Sequence, residues 1–419
     1  MRVFIAGAGV GGLSTALSLD AVGLRDITIA ETAPEIRPLG VGINLLPHAV
    51  RELSELGLGP ELEARGLPVD YMAYYDQYGN HICSTPRGLK AGYRWPQYSL
   101  HRGDLQMMLL REVHRRLGSD VVRTGTTVRG FEQWGDHIDV EVTEQRGAQT
   151  SASVTHAADV LIAADGINST VRSLLYPTEG SPRWNQCVMW RGTSRVDNDF
   201  LDARTVIFAG HHDQRFMAYP IRNHDGEVIL NWIATMRVGG SDLAPEDWNR
   251  RVDPEQIIES YRSWTLGPLH VPSVMESNEG VYEYPMTDRD PLPRWSFDRL
   301  TLLGDAAHPM YPTGSQGSSQ AVLDARVLAK ELHSNPDVVT SLKLYEDKRM
   351  DATAQVVRSN RQMADARLLQ IVHERAPRGF VDGREVISEA EVREITDRYQ
   401  VMAGFDPETL NGRPSMASK

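Results

Sequence analysis

Apolar residues along this chain of 419 fall into three kinds of stretch: short continuous runs, runs at helical spacing, and alternating runs. The continuous runs are Arg2–Ala6, Val160–Ala164 and Leu300–Leu303. Runs this short with no polar alternation read as strands buried on both faces, the pattern of a parallel sheet. Helical spacing follows the first run at Leu13, Ala16, Leu17 and Val22. It recurs at Val50, Leu53 and Leu56, at Leu105, Met108, Leu109, Val113 and Leu117, and from Ala321 to Leu332. Asp26–Ala30 reads as a strand, as do Asp70–Tyr75, His81–Ser84, Val122–Val128 and His137–Val142, while Gln145–Ser153 reads as a polar hairpin turn. From Val188 to Met236 the pattern turns to alternation, with strands at Thr205–Ala209, Phe216–Ile221 and Val228–Ala234. No helix of useful length separates them, which predicts an antiparallel sheet. Beyond about Ser341 the chain reads as charged helix, and disorder is expected from about Phe405.

The expected fold class is therefore α/β: a Rossmann-like domain with an inserted, mostly antiparallel sheet and C-terminal helices. The nucleotide domain is assembled from residues 1–70, 97–180 and 290–365. The sheet domain takes 71–96 and 181–289, and 366–419 forms a helical segment and tail.

The first segment carries the most chemistry. Its strand runs into Gly7-Ala8-Gly9-Val10-Gly11-Gly12, a helix follows, and the next strand ends at Glu31. This is G-x-G-x-x-G in its binding context. Gly7 allows the tight turn, Gly9 lets backbone approach a pyrophosphate, and Gly12 lets helix and strand pack closely. The helix N-terminus offers free N–H groups and a positive dipole end to phosphates, and Glu31 suits a ribose diol. A dinucleotide is predicted, FAD or NAD(P). After Glu31, the Pro34–Asn44 stretch is too long for a simple turn and reads as a loop covering a ligand. The other two apolar strands also end in small or acidic residues, at Asp165-Gly166 and Gly304-Asp305.

Composition narrows the partners. A net charge of −12 argues against non-specific binding to nucleic acid or anionic membranes. The two cysteines, Cys83 and Cys187, are too few for a metal cluster and read as reduced thiols, with one bridge as the alternative. No run approaches the ~20 apolar residues of a membrane span, and the opening run is a strand rather than a signal segment. A cytoplasmic protein is expected.

Taken in order, Gly7–Gly12 with Glu31, Asp165-Gly166-Ile167-Asn168-Ser169-Thr170-Val171-Arg172, and Gly304-Asp305-Ala306-Ala307-His308 with Pro312, Gly314 and Gly317 form a triple signature. It resembles that of the group A FAD-dependent aromatic monooxygenases, the 4-hydroxybenzoate hydroxylase-like family. The segments Glu35–Asn44, Tyr98–Gln106, Met189–Gly192 and Tyr284–Pro293 bring the chain nearest to phenazine-modifying members. One position departs from the family pattern: Ser319 stands where Asn is usual.

The resemblance implies a GR2-type FAD domain and hydroxylation of an aromatic or N-heteroaromatic, carboxylated or phenazine-like, small molecule. NAD(P)H and O₂ are the co-substrates, and a flavin C4a-hydroperoxide is the oxygen donor. It implies that Gly7, Gly9, Val10, Gly11, Gly12 and Glu31 hold the dinucleotide, with Arg37 and Gly42 flanking the flavin. Arg102 would lie near the pyrophosphate, Val128 would meet adenine through its backbone, and Asp165 would sit in the second motif. Asp305 would bond the ribityl chain, Pro312 would shape an oxygen pocket, and Gly317, Ser318 and Ser319 would present helix N–H groups to the flavin. His308 reads as a structural donor rather than a general base. The substrate site is expected against the sheet, lined from Val188–Arg191, Thr205–Ala209, Tyr219, Trp232 and His48. There Arg191 is either a carboxylate partner or a surface stack beside Trp190, and Tyr219 and Trp232 are either stacking platforms or core. Pro312, Arg191, Tyr219 and His48 are the catalytic candidates, and no metal is implied. A halogenase- or dehydrogenase-type flavoenzyme and a non-catalytic dinucleotide-binding protein remain as alternatives, and the sequence leaves oligomeric state open.

Overall fold

The computed structural model describes residues 1–416 except 39, 147–148, 197–203, 224 and 240–249, and leaves the side chains of 146, 149–152 and 365 undescribed. The tip of the expected Gln145–Ser153 turn lies outside the described residues. The strands leading into and out of it, Ile138–Arg146 and Gln149–Ala158, pair antiparallel.

The three continuous apolar runs are neighbours in space. Arg2–Ala6 pairs in parallel with Val160–Ala163 on one side and Asp26–Glu31 on the other, and Val160–Ala163 pairs in parallel with Leu300–Leu302. Val122–Thr124 continues this sheet in parallel beyond Asp26–Glu31, and Ser296–Phe297 closes the opposite edge antiparallel. Ile5, Leu161, Ile162 and Leu300 are fully buried. Burial on both faces is why these strands lack alternation. Two helices, Val10–Ala21 and Gly317–Ser334, pack together above the strand ends.

A second sheet has eight strands, in the order Arg251–Val252, Asn278–Asp288, Arg183–Ser194, Val228–Arg237, Gln214–Arg222, Thr205–Gly210, Tyr71–Tyr75, His81–Pro86. Its neighbours are antiparallel except Thr205–Gly210 with Tyr71–Tyr75. Alternation sorts its side chains by face. Ile207, Phe216, Ala218 and Trp232 pack with Ile257, Val271 and Val274 of two short helices. Tyr74, Phe208, Met217 and Ile233 point the other way, toward Leu368, Leu369 and Val392 of the C-terminal helices.

Two expectations are corrected. The covering loop does not run to Asn44: Gly42–Leu45 is a strand paired antiparallel with Gln97–His101. Its four residues are too few, next to Gly40 and Gly42, to show a period. The chain from Phe405 through Met416 is also ordered. Pro407–Gly412 is a helix capped by the Asp406 side chain, and Phe405 and Leu410 are buried against Leu46 and Tyr93. Arg413 pairs with Glu52 at 2.9 Å, and Arg51 donates to the carbonyls of Arg413 and Pro414. Two apolar anchors and a charge pair hold a segment whose composition looks like a tail.

Candidate functional site

Gly7 ends the first strand at φ +99°, and a Cβ there would lie 2.4 Å from the Ala164 carbonyl oxygen. At Gly12 a Cβ would lie 2.0 Å from the Gly7 oxygen, so the helix sits on the strand at a distance open only to glycine. A Cβ on Gly11 would lie 2.9 Å from Leu303, which places the third segment against the first. Gly9 differs: nothing in the protein lies within 4 Å of where its Cβ would be. Val10 opens the helix behind it. Glu31 accepts from the Ala8 and Ala33 N–H groups at 2.9 and 2.8 Å, and so pins the turn.

Backbone bonds from Ala164 to Ala6 (2.8 Å) and from Leu303 to Ala163 (2.8 Å) bring the other two motifs alongside. In the second motif Asp165 accepts from the Val171 N–H, and Ser169 caps the short helix Thr170–Leu175. Burial pushes the Asp165 carboxyl up, and its other oxygen has no partner. Arg172 is buried and donates to the carbonyls of Ala306 and Ala307, both at 3.0 Å, which ties the second motif to the third. His308 bonds Asp324 at 2.5 Å, and Asp324 also accepts from the Gly304 N–H and Arg349. Burial alone would raise the Asp324 carboxyl, but His308 and Arg349 hold it at about 2. His308 is thus a structural partner that locks Gly317–Ser334 onto the Gly304-Asp305 turn. A Cβ on Gly317 would be 3.8 Å from Asp305 Oδ1, so the carboxylate lies beside the first turn of that helix, where Ser318 follows. Ser319 is fully buried, and its hydroxyl takes the Leu46 N–H at 3.4 Å.

Asp305 and Arg102 are open to solvent, yet both lie deep among protein atoms at the bottom of a cleft. Loss of bulk water pushes the Asp305 carboxyl up, with His308 and Arg102 opposing. It lowers Arg102, with Asp305 opposing. Two opposite charges therefore face one cleft at the carboxyl ends of parallel strands. Beside them stand an unobstructed glycine turn and a helix N-terminus. This set fits FAD: N–H groups for phosphates, a carboxylate for hydroxyls, an arginine for negative charge. Val128 is buried in the strand Thr126–Gln133, and Gly125 ties the start of that strand to Ala33, next to Glu31. Arg37 is exposed and paired with Glu35 at 2.7 Å, so its charge is already met outside the cleft.

On the sheet side, Arg191 and Trp190 alternate to opposite faces, which removes the surface-stack reading. Trp190 is buried and donates to Glu283, whereas Arg191 donates to the Gly42 carbonyl at 2.9 Å. Tyr219 bonds Arg191 and is fully buried, its phenol pushed up to about 12 by burial. Asn231, missed in the sequence, accepts from the Gly42 N–H at 2.6 Å. Gly42 is thus gripped from the sheet by Arg191 and Asn231. Trp232 is core on the far face, stacked on Phe216 and bonded to Ser194. His48 is no catalytic base: it is buried against Phe405, and burial, then Arg413 and Arg349, hold its imidazole down at about 3.

A cavity partly open to solvent lies against the sheet, and of the expected lining segments it takes only Thr205–Ala209, through Phe208. Met72, Tyr74, Phe208 and Met217 of the sheet form one wall, and Gly314-Ser315 another. The third wall is C-terminal: Leu368, Ile395, Tyr399 and Phe405. Pro312 opens the facing turn at φ −70°, after which Gly314 and Ser315 take left-handed angles of 71° and 56°. Gly314 lies so close to Tyr399 that a Cβ would meet its hydroxyl at 1.9 Å, and Tyr399 bonds Asn360, which donates to the Tyr311 carbonyl. Tyr399 follows the charged stretch Glu389–Arg398 and Phe405 ends the short apolar run Val401–Phe405, and neither pattern marks a cavity wall.

Residues 1–360 match the family model described as FAD binding domain. The chain is 43% identical over 364 residues to phenazine 1,6-dicarboxylic acid hydroxylase PhzS of Lysobacter antibioticus, covering 86% of this chain and 89% of that protein. It is 32% identical to 3-hydroxybenzoate 6-hydroxylase 1 of Aquipseudomonas alcaligenes, over 87% of this chain and 89% of the relative. Among solved structures, Klebsiella pneumoniae HpxO complexed with FAD and uric acid superposes with a TM-score of 0.73 at 22% identity, covering 100% and 96% of the two chains. A cleft built from three distant glycine- and acid-bearing strand ends, and relatives of this closeness along most of the chain, place it in the FAD-binding-domain family as an FAD-dependent aromatic monooxygenase.

Proposed function

We propose that this enzyme hydroxylates a carboxylated N-heteroaromatic of the phenazine type, in the cytoplasm, with NAD(P)H and O₂ as co-substrates. The carrying observation is the cavity between the sheet and the Pro312–Ser315 turn, whose walls are apolar and aromatic. Such a lining suits a planar ring system. Bound FAD supplies hydride acceptance from NAD(P)H and oxygen transfer to the ring.

The chain supplies the rest. Gly9 would leave room for the dinucleotide at a turn that Gly7, Gly11 and Gly12 allow to pack closely, and Glu31, Arg102 and Asp305 would hold it by hydrogen bonds. The start of the Gly317–Ser334 helix favours negative charge near the flavin ring through its N–H groups. Arg191 and Asn231 hold Gly42 in place. Leu46, Tyr399 and Phe405 shield the cavity from water, which protects oxygen transfer from side reactions. Among the described lining residues there is no histidine or carboxylate. The ring must therefore arrive electron-rich, without a protein base to activate it.

Purified enzyme incubated with NAD(P)H and a panel of benzoates, quinoline carboxylates and phenazine carboxylates tests this reading. The expected product is a phenazine carboxylate heavier by one oxygen atom, formed in step with NAD(P)H consumption. Hydrogen peroxide alone with every aromatic would refute it.

A further inference from the structure

The inference rests on the carboxylated-substrate reading and names the group that reads the carboxylate. Arg87 is the one charged side chain among the described residues lining the cavity, at the end of the strand His81–Pro86. Its Nη2 donates to the Tyr74 hydroxyl at 2.9 Å and to Met72 Sδ at 3.4 Å, and its Nη1 to the Pro86 carbonyl at 3.3 Å. All three partners are neutral. A guanidinium carries five N–H donors, so Nε and one Nη1 hydrogen remain. Arg87 is half-buried and meets no carboxylate among the described residues, so a carboxylate entering the cavity finds its charge unanswered.

A second observation points to the same ligand. Tyr93 lines this cavity, is 5% exposed, and its hydroxyl has no partner. Burial pushes its phenol up and the Arg87 charge opposes this, so the ring lies within reach of the guanidinium's field. A phenol that stays protonated is a donor. A planar cation and a neutral O–H donor in one apolar chamber are the groups that a carboxylate satisfies.

Arg87 also lines the outer cleft between His81–Pro86 and the helix Glu389–Met402, together with Thr396 and Gln400, which both spaces share. It stands where the cleft opens into the cavity. Acidic side chains such as Asp397 and Glu408 outnumber basic ones along that cleft, so its general field does not gather anions. Selection for a carboxylate then falls to Arg87. We propose that Arg87, backed by the Tyr93 hydroxyl, binds the substrate carboxylate and fixes which end of the ring system faces the Pro312–Ser315 turn.

The test compares phenazine-1-carboxylate with its carboxamide on the holoenzyme and its Arg87→Gln, Arg87→Lys and Tyr93→Phe variants. Flavin absorbance and melting temperature report the fold. Arg87→Gln should cut the acid-over-amide ratio of kcat/KM by about tenfold or more, chiefly through KM. Arg87→Lys should recover part of it, and Tyr93→Phe should lose about threefold. An equal loss on both ligands, or an acid preference as strong in Arg87→Gln as in the unchanged enzyme, overturns the assignment of Arg87 alone. Unchanged enzyme that hydroxylates the amide but not the acid overturns the carboxylated-substrate reading, and the assignment falls with it.

Discussion

Gly9 and Gly12 lie three residues apart in one turn, and alanine should affect them in opposite ways. At Gly12 the new Cβ would meet the Gly7 oxygen at 2.0 Å, far inside the 3.5–4.0 Å of a comfortable contact. Both atoms belong to rigid backbone, so helix and strand must separate. Overpacking of this kind costs ~1–3 kcal/mol, and more where backbone moves. Alanine returns ~1 kcal/mol through helix propensity. The expected net loss for Gly12→Ala is about 2 kcal/mol, a fall in melting temperature of several degrees for the apoprotein. At Gly9 the added methyl meets no protein atom and the backbone sits at φ −74°, which alanine adopts freely. Its stability cost is the few tenths to ~1 kcal/mol of a poorer helix N-cap. The methyl would instead occupy the space assigned to the pyrophosphate, so FAD should bind about tenfold or more weakly, ~1.4 kcal/mol. Thermal melts of apoprotein and titration by quenching of FAD fluorescence give both numbers. Gly9→Ala with unaltered FAD affinity, or with a stability loss equal to that of Gly12→Ala, would refute the division between packing and binding glycines.

Two further outcomes follow from the C-terminal region. His48 titrates at about 3 in the fold against 6.5 unfolded, so the unfolded chain holds the extra proton between those values. Stability from this group is complete above pH 6.5 and is lost as pH falls toward 3, by at most about 4–5 kcal/mol. His48→Asn should flatten urea-unfolding stability across that window, and an unchanged slope would contradict the assignment. Removing residues 405–419 takes away Phe405 and the Arg413 partner of Glu52. A larger share of the NAD(P)H consumed should then appear as H₂O₂, measured by a peroxidase-coupled assay, and unchanged coupling would show that Phe405 does not seal the cavity.

The nucleotide cleft was legible because its signals are local: a continuous apolar strand, then a glycine or aspartate where the strand ends. Each was readable alone, and the parallel pairing of the three strands follows from their burial on both faces. The substrate side was not legible in this way. Alternation marked the strands of the second sheet but not which face carries the ligand: Phe208 of the expected Thr205–Ala209 lining reaches the cavity, whereas Trp232 and Tyr219, readable as platforms or as core, are core. The third wall comes from Tyr399 and Phe405, far along a charged stretch whose order depends on tertiary contacts with Leu46, Tyr93 and Glu52. Gly42 is gripped by Asn231 across 189 positions of sequence, a pairing no local pattern announces.

The account stands on three distant strand ends gripping one dinucleotide, and Asp305 tests this most directly because almost three hundred residues separate it from the glycine turn. Its carboxylate faces the cleft, beside the first turn of the Gly317–Ser334 helix. The decisive measurement is the FAD dissociation constant of Asp305→Ala beside that of the unchanged protein. Loss of a charged hydrogen bond predicts affinity weaker by about tenfold to a hundredfold with the melting temperature of the apoprotein retained. Equal affinity in the two proteins would contradict the shared site.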